Sequence, residues 1–332
     1  MTTIGSRPKI GVIVHQPLRD QLFTRGDQER LNALGRVTWT ESRRPISVED
    51  AIEILRDCEV GVGSWGSPHP GQALMAGCPV LKLWEHVAGS VKHMFGSHLE
   101  GRALAIASCK PALADVVAEL TLGEIILGLR RVFENAAANR KGVTGKPPNI
   151  RVLMGSTIGI VGASLIGRRV IRLLKPFGCS ILVCDPYLPD EEARAMDAEK
   201  VDLDTLCRRS DVVSLHTPDI PATTHLMGAA QFAAMNDDAI FINTARGACV
   251  DESALLAELS LGRLFAILDV TLPEPPAPDS PFRSLPNVVY TSHIAGPPCF
   301  NLGRQAVDDI AAHLSGGTPE YPVTPDMLEI TA

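Results

Sequence analysis

Residues 157–186 read T-I-G-I-V-G-A-S-L-I-G-R-R-V-I-R-L-L-K-P-F-G-C-S-I-L-V-C-D-P. The apolar run from Ile158 to Val161 has the character of a strand buried on both faces. A turn with Gly162, Ser164 and Gly167 follows, then a helical pattern with Ile166, Val170, Leu173 and Leu174 on one side. Pro176 and Gly178 end that helix, and a second strand, Ile181 to Cys184, runs into Asp185, 18 residues past Gly167. A strand, a glycine turn, a helix and a second strand tipped by an acid can hold a dinucleotide. The first N–H groups of the helix face the pyrophosphate, and the acid accepts hydrogen bonds from the adenosine ribose. Asp185 favours NAD over NADP, because a carboxylate repels a ribose 2′-phosphate. Ser164 stands where the middle glycine of such turns is usual, and its hydroxyl is placed to bond a phosphate oxygen. The competing reading of a bare G-x-x-x-x-G turn is a packing solution with no ligand.

The chain has 332 residues, enough for two domains. With 45% hydrophobic and 21% charged residues it can bury substantial cores. A net charge of −7, with no long basic run, argues against nucleic acid and membrane surfaces as partners. No apolar run approaches the ~18 residues of a membrane span, and residues 1–9 lack the apolar centre of a secretory signal. The eight cysteines show no C-x-x-C spacing. They read as small buried residues of a cytoplasmic protein, and no metal is expected.

Before the opening unit, residues 9–15, 37–39, 60–62, 79–85 and 103–107 read as strands. Helical patterns lie between them, among them residues 47–56, capped by Ser47 with Asp50 three residues on. This alternation is that of a parallel α/β domain. Two loops beyond strand ends, residues 63–68 and 88–91, offer Trp65, Gly66, Gly89 and Ser90 as substrate contacts; as an alternative, both are ordinary turns. Residues 116–133 form a helical pattern apolar on more than one side, suited to burial against a second surface such as another subunit. A polar connection covers residues 139–149. After the opening unit come apolar runs at 212–216, 239–243, 265–269 and 288–291, which complete six strands, and a last helix at 301–314. The division this gives is 1–115 plus 299–332 for a substrate domain and 116–298 for a cofactor domain.

Three strand ends in the second half carry polar chemistry. They place Arg246, then Asp269 and Glu274, then His293 on the sheet edge of the dinucleotide turn. Reduction of a 2-oxo acid needs a hydride at C2, a proton for its oxygen and a cation for its carboxylate. A histidine can supply the proton. A glutamate beside it favours the imidazolium and fixes the ring, and an arginine grips the carboxylate. Singly, each has an ordinary reading: Arg246 as a helix cap, Glu274 as a solvated residue before Pro275, His293 as a bonded core residue. His216, ahead of Thr217 and Pro218, offers backbone near the cofactor. His15, His86 and His225 read as structural. Lys92 and His93 read as a solvated pair, with a substrate phosphate as the alternative contact.

The chain resembles the NAD-dependent D-2-hydroxyacid dehydrogenases, which include glycerate, phosphoglycerate and D-lactate dehydrogenases and glyoxylate/hydroxypyruvate reductases. The matching segments are V-A-E at 117–119, G-A-S-L-I-G-R-R-V, C-D-P-Y, S-D-V-V-S-L-H-T-P, I-N-T-A-R-G-A, L-D-V-T-L-P-E-P and L-P-N-V-V-Y-T-S-H-I-A-G. They span residues 117–296; the N-terminal third matches in layout and in its G-S-W-G and A-G-S-V loops. The resemblance implies two doubly wound parallel-sheet α/β domains, a Rossmann-type NAD domain inserted into a flavodoxin-like substrate domain. It implies reversible hydride transfer between NAD(H) and a small 2-hydroxy or 2-oxo acid, with Arg246, Glu274 and His293 as the catalytic set. The cofactor contacts it implies are Gly162, Ser164, Leu165, Ile166, Gly167, Asp185, His216, Thr217, Pro218, Thr224, Thr244, Ala245, Arg246, Asp269, His293, Ala295 and Gly296. It further implies a substrate carboxylate on the backbone near Gly89 and Ser90, and a homodimer formed through the cofactor domain. Two departures stand out: Ser164, and Leu113 where the family often has an asparagine. A non-enzymatic NADH-sensing protein on the same fold and a phosphoglycerate dehydrogenase are the rival readings.

Overall fold

A computed structural model describes residues 7–329 of the chain. Two compact units result, one built from the chain up to Leu113 and from Pro297 onward, the other from Ala114–Gly296. Both crossings lie two residues earlier than the boundaries at 115/116 and 298/299 read from the sequence. Asp115 belongs to the second unit, where its carboxylate pairs with Arg169 at 2.6 Å and Arg172 at 3.0 Å.

The first unit begins β1 (Lys9–Val12), α1 (Gln16–Leu22), α2 (Arg25–Leu34), β2 (Arg36–Trp39), α3 (Val48–Leu55), β3 (Val60–Gly63), α4 (Gln72–Gly77), β4 (Leu83–His86) and β5 (Ala105–Ser108). Both α2 and α3 start on complete capping boxes, Thr24 with Asp27 and Ser47 with Asp50, which satisfy N–H groups that the first turn leaves unpaired. The strand expected over residues 79–85 starts only at Leu83, because residues 79 and 80 form a turn.

The crossing at Leu113 lies within α5 (Lys110–Leu129), which is followed by α6 (Val132–Arg140). The single helix expected over 116–133 is therefore two. Arg131 adopts a left-handed conformation, φ 55°, and its guanidinium holds Glu134 at 2.8 Å and Asp238 at 3.2 Å. The second unit continues with β6 (Thr157–Val161), α7 (Leu165–Leu174), β7 (Ser180–Cys184), α8 (Asp190–Ala195), β8 (Glu199–Lys200), α9 (Leu203–Arg209), β9 (Val212–Leu215), α10 (Ala229–Ala234), β10 (Ile240–Asn243), α11 (Glu252–Ser260), β11 (Phe265–Leu268) and β12 (Val288–Tyr290). The chain then returns to the first unit with α12 (Phe300–Leu314) and β13 (Pro322–Val323).

The first sheet runs β13-β5-β4-β3-β1-β2, parallel except for β13. The second runs β12-β11-β10-β9-β6-β7-β8, parallel throughout. It contains the six expected strands and the short β8. Its strand order reverses between β6 and β9, the place where such sheets open to a ligand. One face is covered by α5 and α7 through Ile125, Leu129, Val170 and Leu174, the other by α9, α10 and α11 through Leu206, Phe232 and Leu255. Each of these fully buried side chains contributes about 1.5–3 kcal/mol. In the first unit Leu302, Ala306 and Ile310 of α12 join the core with Leu22 and Leu31. Among the described residues no helix is long and apolar enough to cross a membrane, and no group of His, Cys, Asp and Glu could hold a metal ion.

Candidate active site

The dinucleotide turn follows β6 at the switch point. Gly162 sits at φ +98°, a region that side chains disfavour. A Cβ on Gly167 would lie 2.1 Å from the carbonyl oxygen of Gly162, so α7 approaches the strand as only glycine allows. Ser164 is the N-cap of α7, and its hydroxyl accepts the N–H of Gly167 at 3.4 Å. The oxygen expected to contact a phosphate is thus used in the helix cap. Leu165 and Ile166 are half-buried in the first helical turn. Asp185 accepts the N–H of Ala163 with one carboxylate oxygen and that of Tyr187 with the other, both at 2.7 Å. Each carboxylate oxygen has a second lone pair that can accept a further donor.

His216, Thr217 and Pro218 follow β9, beside the turn: a Cβ on Gly162 would stand 3.0 Å from the His216 carbonyl. The His216 ring is buried, and Nε2 bonds the Ser214 hydroxyl at 2.9 Å. Burial holds its pKa down at about 3, so the ring is neutral. Its Nδ1 and the hydroxyl of Thr217 are buried with no partner. Buried polar atoms left unsatisfied are costly. Here they border a glycine cradle at a helix N-terminus, an arrangement suited to a dinucleotide. Thr224 is exposed, its hydroxyl 3.5 Å from the Ile220 carbonyl.

Arg246 follows β10 on a turn held by Asn243. The buried Asn243 amide accepts the N–H of Ala245 at 2.9 Å and donates to the carbonyl of Arg246 at 3.1 Å. Thr244 is buried, its hydroxyl 3.2 Å from that of Thr121 on α5. A Cβ on Gly247 would lie 2.2 Å from the carbonyl carbon of Thr271. That close approach sets the Arg246 turn against the loop that carries Glu274. Neither Asn243 nor Gly247 received a role from the sequence, although both lie inside I-N-T-A-R-G.

His293 Nδ1 is 2.6 Å from Glu274 Oε1, with both side chains partly exposed. Asp269 is 1% exposed. Its carboxylate accepts the Thr291 hydroxyl at 2.6 Å and the N–H groups of Ile294 and Ala295 at 2.8 Å each. Asp269, expected as a cofactor contact, holds with its carboxylate the loop that carries His293, Ala295 and Gly296. Glu124 of α5 is also buried, and its Oε2 has no partner. Burial and, second, the charge of Asp269 push its carboxyl up to about 8.

The loop candidates lie in the first unit. Two buried serines tether the carbonyls around Gly89: Ser64 donates to Val87 at 2.8 Å and Ser108 to Ala88 at 3.1 Å. Leu113 lies over Gly89, where a Cβ would come within 2.8 Å of it. Trp65 is 37% exposed, and Gly66 has φ +73° beside Pro45. Ser90 is half-buried, its hydroxyl 3.5 Å from the Lys92 N–H.

A glycine turn at the switch point of a parallel sheet, with an arginine turn and a Glu–His pair at further strand ends, defines an NAD-dependent oxidoreductase. Residues 122–295 match the family described as D-isomer specific 2-hydroxyacid dehydrogenase, NAD binding domain. Glyoxylate/hydroxypyruvate reductase B of Klebsiella pneumoniae subsp. pneumoniae is 33% identical over 96% of this chain and 99% of its own length. The D-3-phosphoglycerate dehydrogenase of Methanocaldococcus jannaschii is 30% identical over 86% of this chain, which spans only 53% of that longer protein. The D-mandelate dehydrogenase of Rhodotorula graminis shares the fold, with a TM-score of 0.80, 24% identity and coverage of 96% of this chain and 98% of its own. The chain belongs to the D-isomer specific 2-hydroxyacid dehydrogenase family. It is an oxidoreductase that uses NAD to interconvert 2-hydroxy and 2-oxo acids.

Proposed function

We propose that the chain reduces a small 2-oxo acid of the glyoxylate or hydroxypyruvate type, as a cytoplasmic homodimer. The observation that carries the catalytic assignment is the 2.6 Å contact of His293 Nδ1 with Glu274. With Nδ1 engaged there, Nε2 is the nitrogen that exchanges a proton with substrate. When bound, NADH would supply the hydride for C2. His293 gives its Nε2 proton to the carbonyl oxygen, Glu274 orients the ring and stabilises the imidazolium, and Arg246 grips the carboxylate and polarises the carbonyl. In the first unit, backbone at Gly89 and Ser90, with Trp65 and Gly66, is the candidate for contact with a substrate carboxylate. Gly162, Gly167, Asp185, Thr217 and the turn at Thr244 and Ala245 hold the cofactor. Domain roles follow: the first unit binds substrate, the second cofactor.

Support for the homodimer comes from exposed apolar side chains on and after α5, Leu127, Val132, Val143, Ile150, Val152 and Met154. Sedimentation at micromolar concentration tests it, and a monomer would exclude it. A cytoplasmic setting agrees with eight cysteines that are all unbonded. The activity is tested by following NADH oxidation with glyoxylate and hydroxypyruvate. Tight NADH binding with no turnover of any 2-oxo acid would favour an NADH-sensing protein instead.

A further inference from the structure

A groove runs along α7 beside the end of α8. Arg168, Arg169, Ile171, Arg172, Lys175 and Met196 line about 310 Å³ of open space there. Residues 168, 172 and 175 recur at the spacing of one helix face. Four cations within eight residues are a local reversal in a chain whose net charge is −7.

The acids that face these cations are exposed and fewer in number. Arg168 Nη2 pairs with Glu192 at 2.8 Å, and Lys175 pairs with Asp197 at 2.8 Å. Arg169 and Arg172 share one oxygen, Asp115 Oδ1, at 2.6 and 3.0 Å. Four cations therefore meet three carboxylates, each about half exposed or more. Ion pairs this exposed are weak and exchange with better ligands. The helix dipole accounts for Arg172 and Lys175 at the C-terminal end of α7, but not for Arg168 and Arg169 near its start.

Arg168 joins the groove to the dinucleotide turn. Its Nε donates to the Ala163 carbonyl at 2.9 Å, while the N–H of Ala163 donates to Asp185 at 2.7 Å. The middle of the turn is thus fixed from both sides, and one of the two holders also lines the groove.

We propose that the groove is an effector site for a small multivalent oxyanion, a phosphate ester or a polycarboxylate, whose binding draws Arg168 from the turn and weakens NADH binding. The proposal rests on the reading that this turn holds the cofactor. A guanidinium meets such an anion as a bidentate fork. Engaging the fork of Arg168 releases Glu192 and the Ala163 carbonyl, so the turn loses a hydrogen bond that fixes it. Arg172 and Lys175 supply charge at the far end, and Ile171 and Met196 offer apolar surface to the rest of the molecule. By reciprocity, NADH weakens the anion by the same factor.

The test titrates NADH by its fluorescence in chloride, then in inorganic phosphate or tricarballylate at equal ionic strength. Neither anion is a 2-hydroxy or 2-oxo acid, so neither turns over. The Kd for NADH should rise to a plateau about fivefold higher. Arg172→Gln/Lys175→Gln, which leaves the contacts of the turn in place, should abolish the rise. Glu192→Gln, which removes a competing carboxylate, should bring it on at lower anion concentration. Calorimetry on the cofactor-free protein should show an anion site that the double variant lacks. The two anions distinguish a phosphate from a polycarboxylate source. A rise without a plateau is competition at the turn itself and overturns the proposal. So does a rise that survives in the double variant, an anion that binds and leaves NADH unaffected, or no binding of either anion. Failure to bind NADH in chloride alone overturns the reading of the turn instead, and calorimetry on wild type and both variants then decides the groove.

Discussion

The backbone N–H of His293 donates to the carbonyl of Asp269 at 2.9 Å, and the carboxylate of the same aspartate holds the residues on either side of it. His293 sits at φ +53°, a left-handed conformation that costs roughly 1–2 kcal/mol outside glycine. Three hydrogen bonds to one buried carboxylate, from Thr291, Ile294 and Ala295, maintain it. Asp269 is therefore the residue that positions His293.

Asp269→Asn removes one acceptor and turns an N–H₂ group toward backbone donors. We expect kcat to fall on the order of 10²-fold through misplacement of His293, and stability to fall by about 1–3 kcal/mol. Turnover and urea unfolding measure the two effects. Unchanged turnover would remove Asp269 from the positioning role.

On the proposed pairing of Glu274 with His293, their substitutions should not add. His293→Asn should lower kcat by 10²–10⁴, the range of a lost general acid. Glu274→Gln keeps an acceptor for Nδ1 without the charge and should cost about tenfold. The double variant should be no slower than His293→Asn alone. Strict additivity of the two losses would show that they work independently.

Gly247→Ala tests the contact between the arginine turn and the Glu274 loop. The new methyl meets the Thr271 backbone at 2.2 Å, so one loop must move. The expected result is a folded protein, destabilised by about 1–3 kcal/mol, with kcat/KM for the 2-oxo acid reduced on the order of 10²-fold. A variant with wild-type kinetics would mean that this contact does not set the position of Arg246.

Glu124 gives stability a pH dependence. Its carboxyl is raised from 4.5 to about 8 in the folded chain. Between those values the folded state keeps a proton that the unfolded state releases, so this group lowers stability as pH rises. Below about 4.5 both states hold the proton and the cost vanishes. Glu124→Gln should therefore gain on wild type between pH 5 and pH 8, on the order of 1–4 kcal/mol. Parallel stability profiles for the two proteins would contradict this.

Asp185→Ala should narrow the preference for NADH over NADPH, because the carboxylate that repels a 2′-phosphate is gone. Ala163 and Tyr187 would lose their acceptor too, so affinity for NADH should also fall. The check is kcat/KM for both cofactors, and an unchanged ratio would show that Asp185 does not discriminate between them.

What the sequence determined by itself was whatever is written locally along the chain. Buried parallel strands are continuous apolar runs, so Ile158–Val161 and the runs like it were visible, as were the glycines and acid that bound the dinucleotide unit. Arg246, Glu274 and His293 were visible because each follows such a run within a few residues. Two-residue strands such as β8 and β13 carry too little pattern to be seen, and the break at Arg131 depends on Asp238, 107 residues away. Only the tertiary structure decided the work of Asp269, the approach of Gly247 to Thr271, the burial of Glu124 and the groove beside α7. Each of these depends on groups that the fold brings together from separate segments of the chain. Hydrogen bonds and charges act over a few ångströms in space, and distance along the chain carries no record of that.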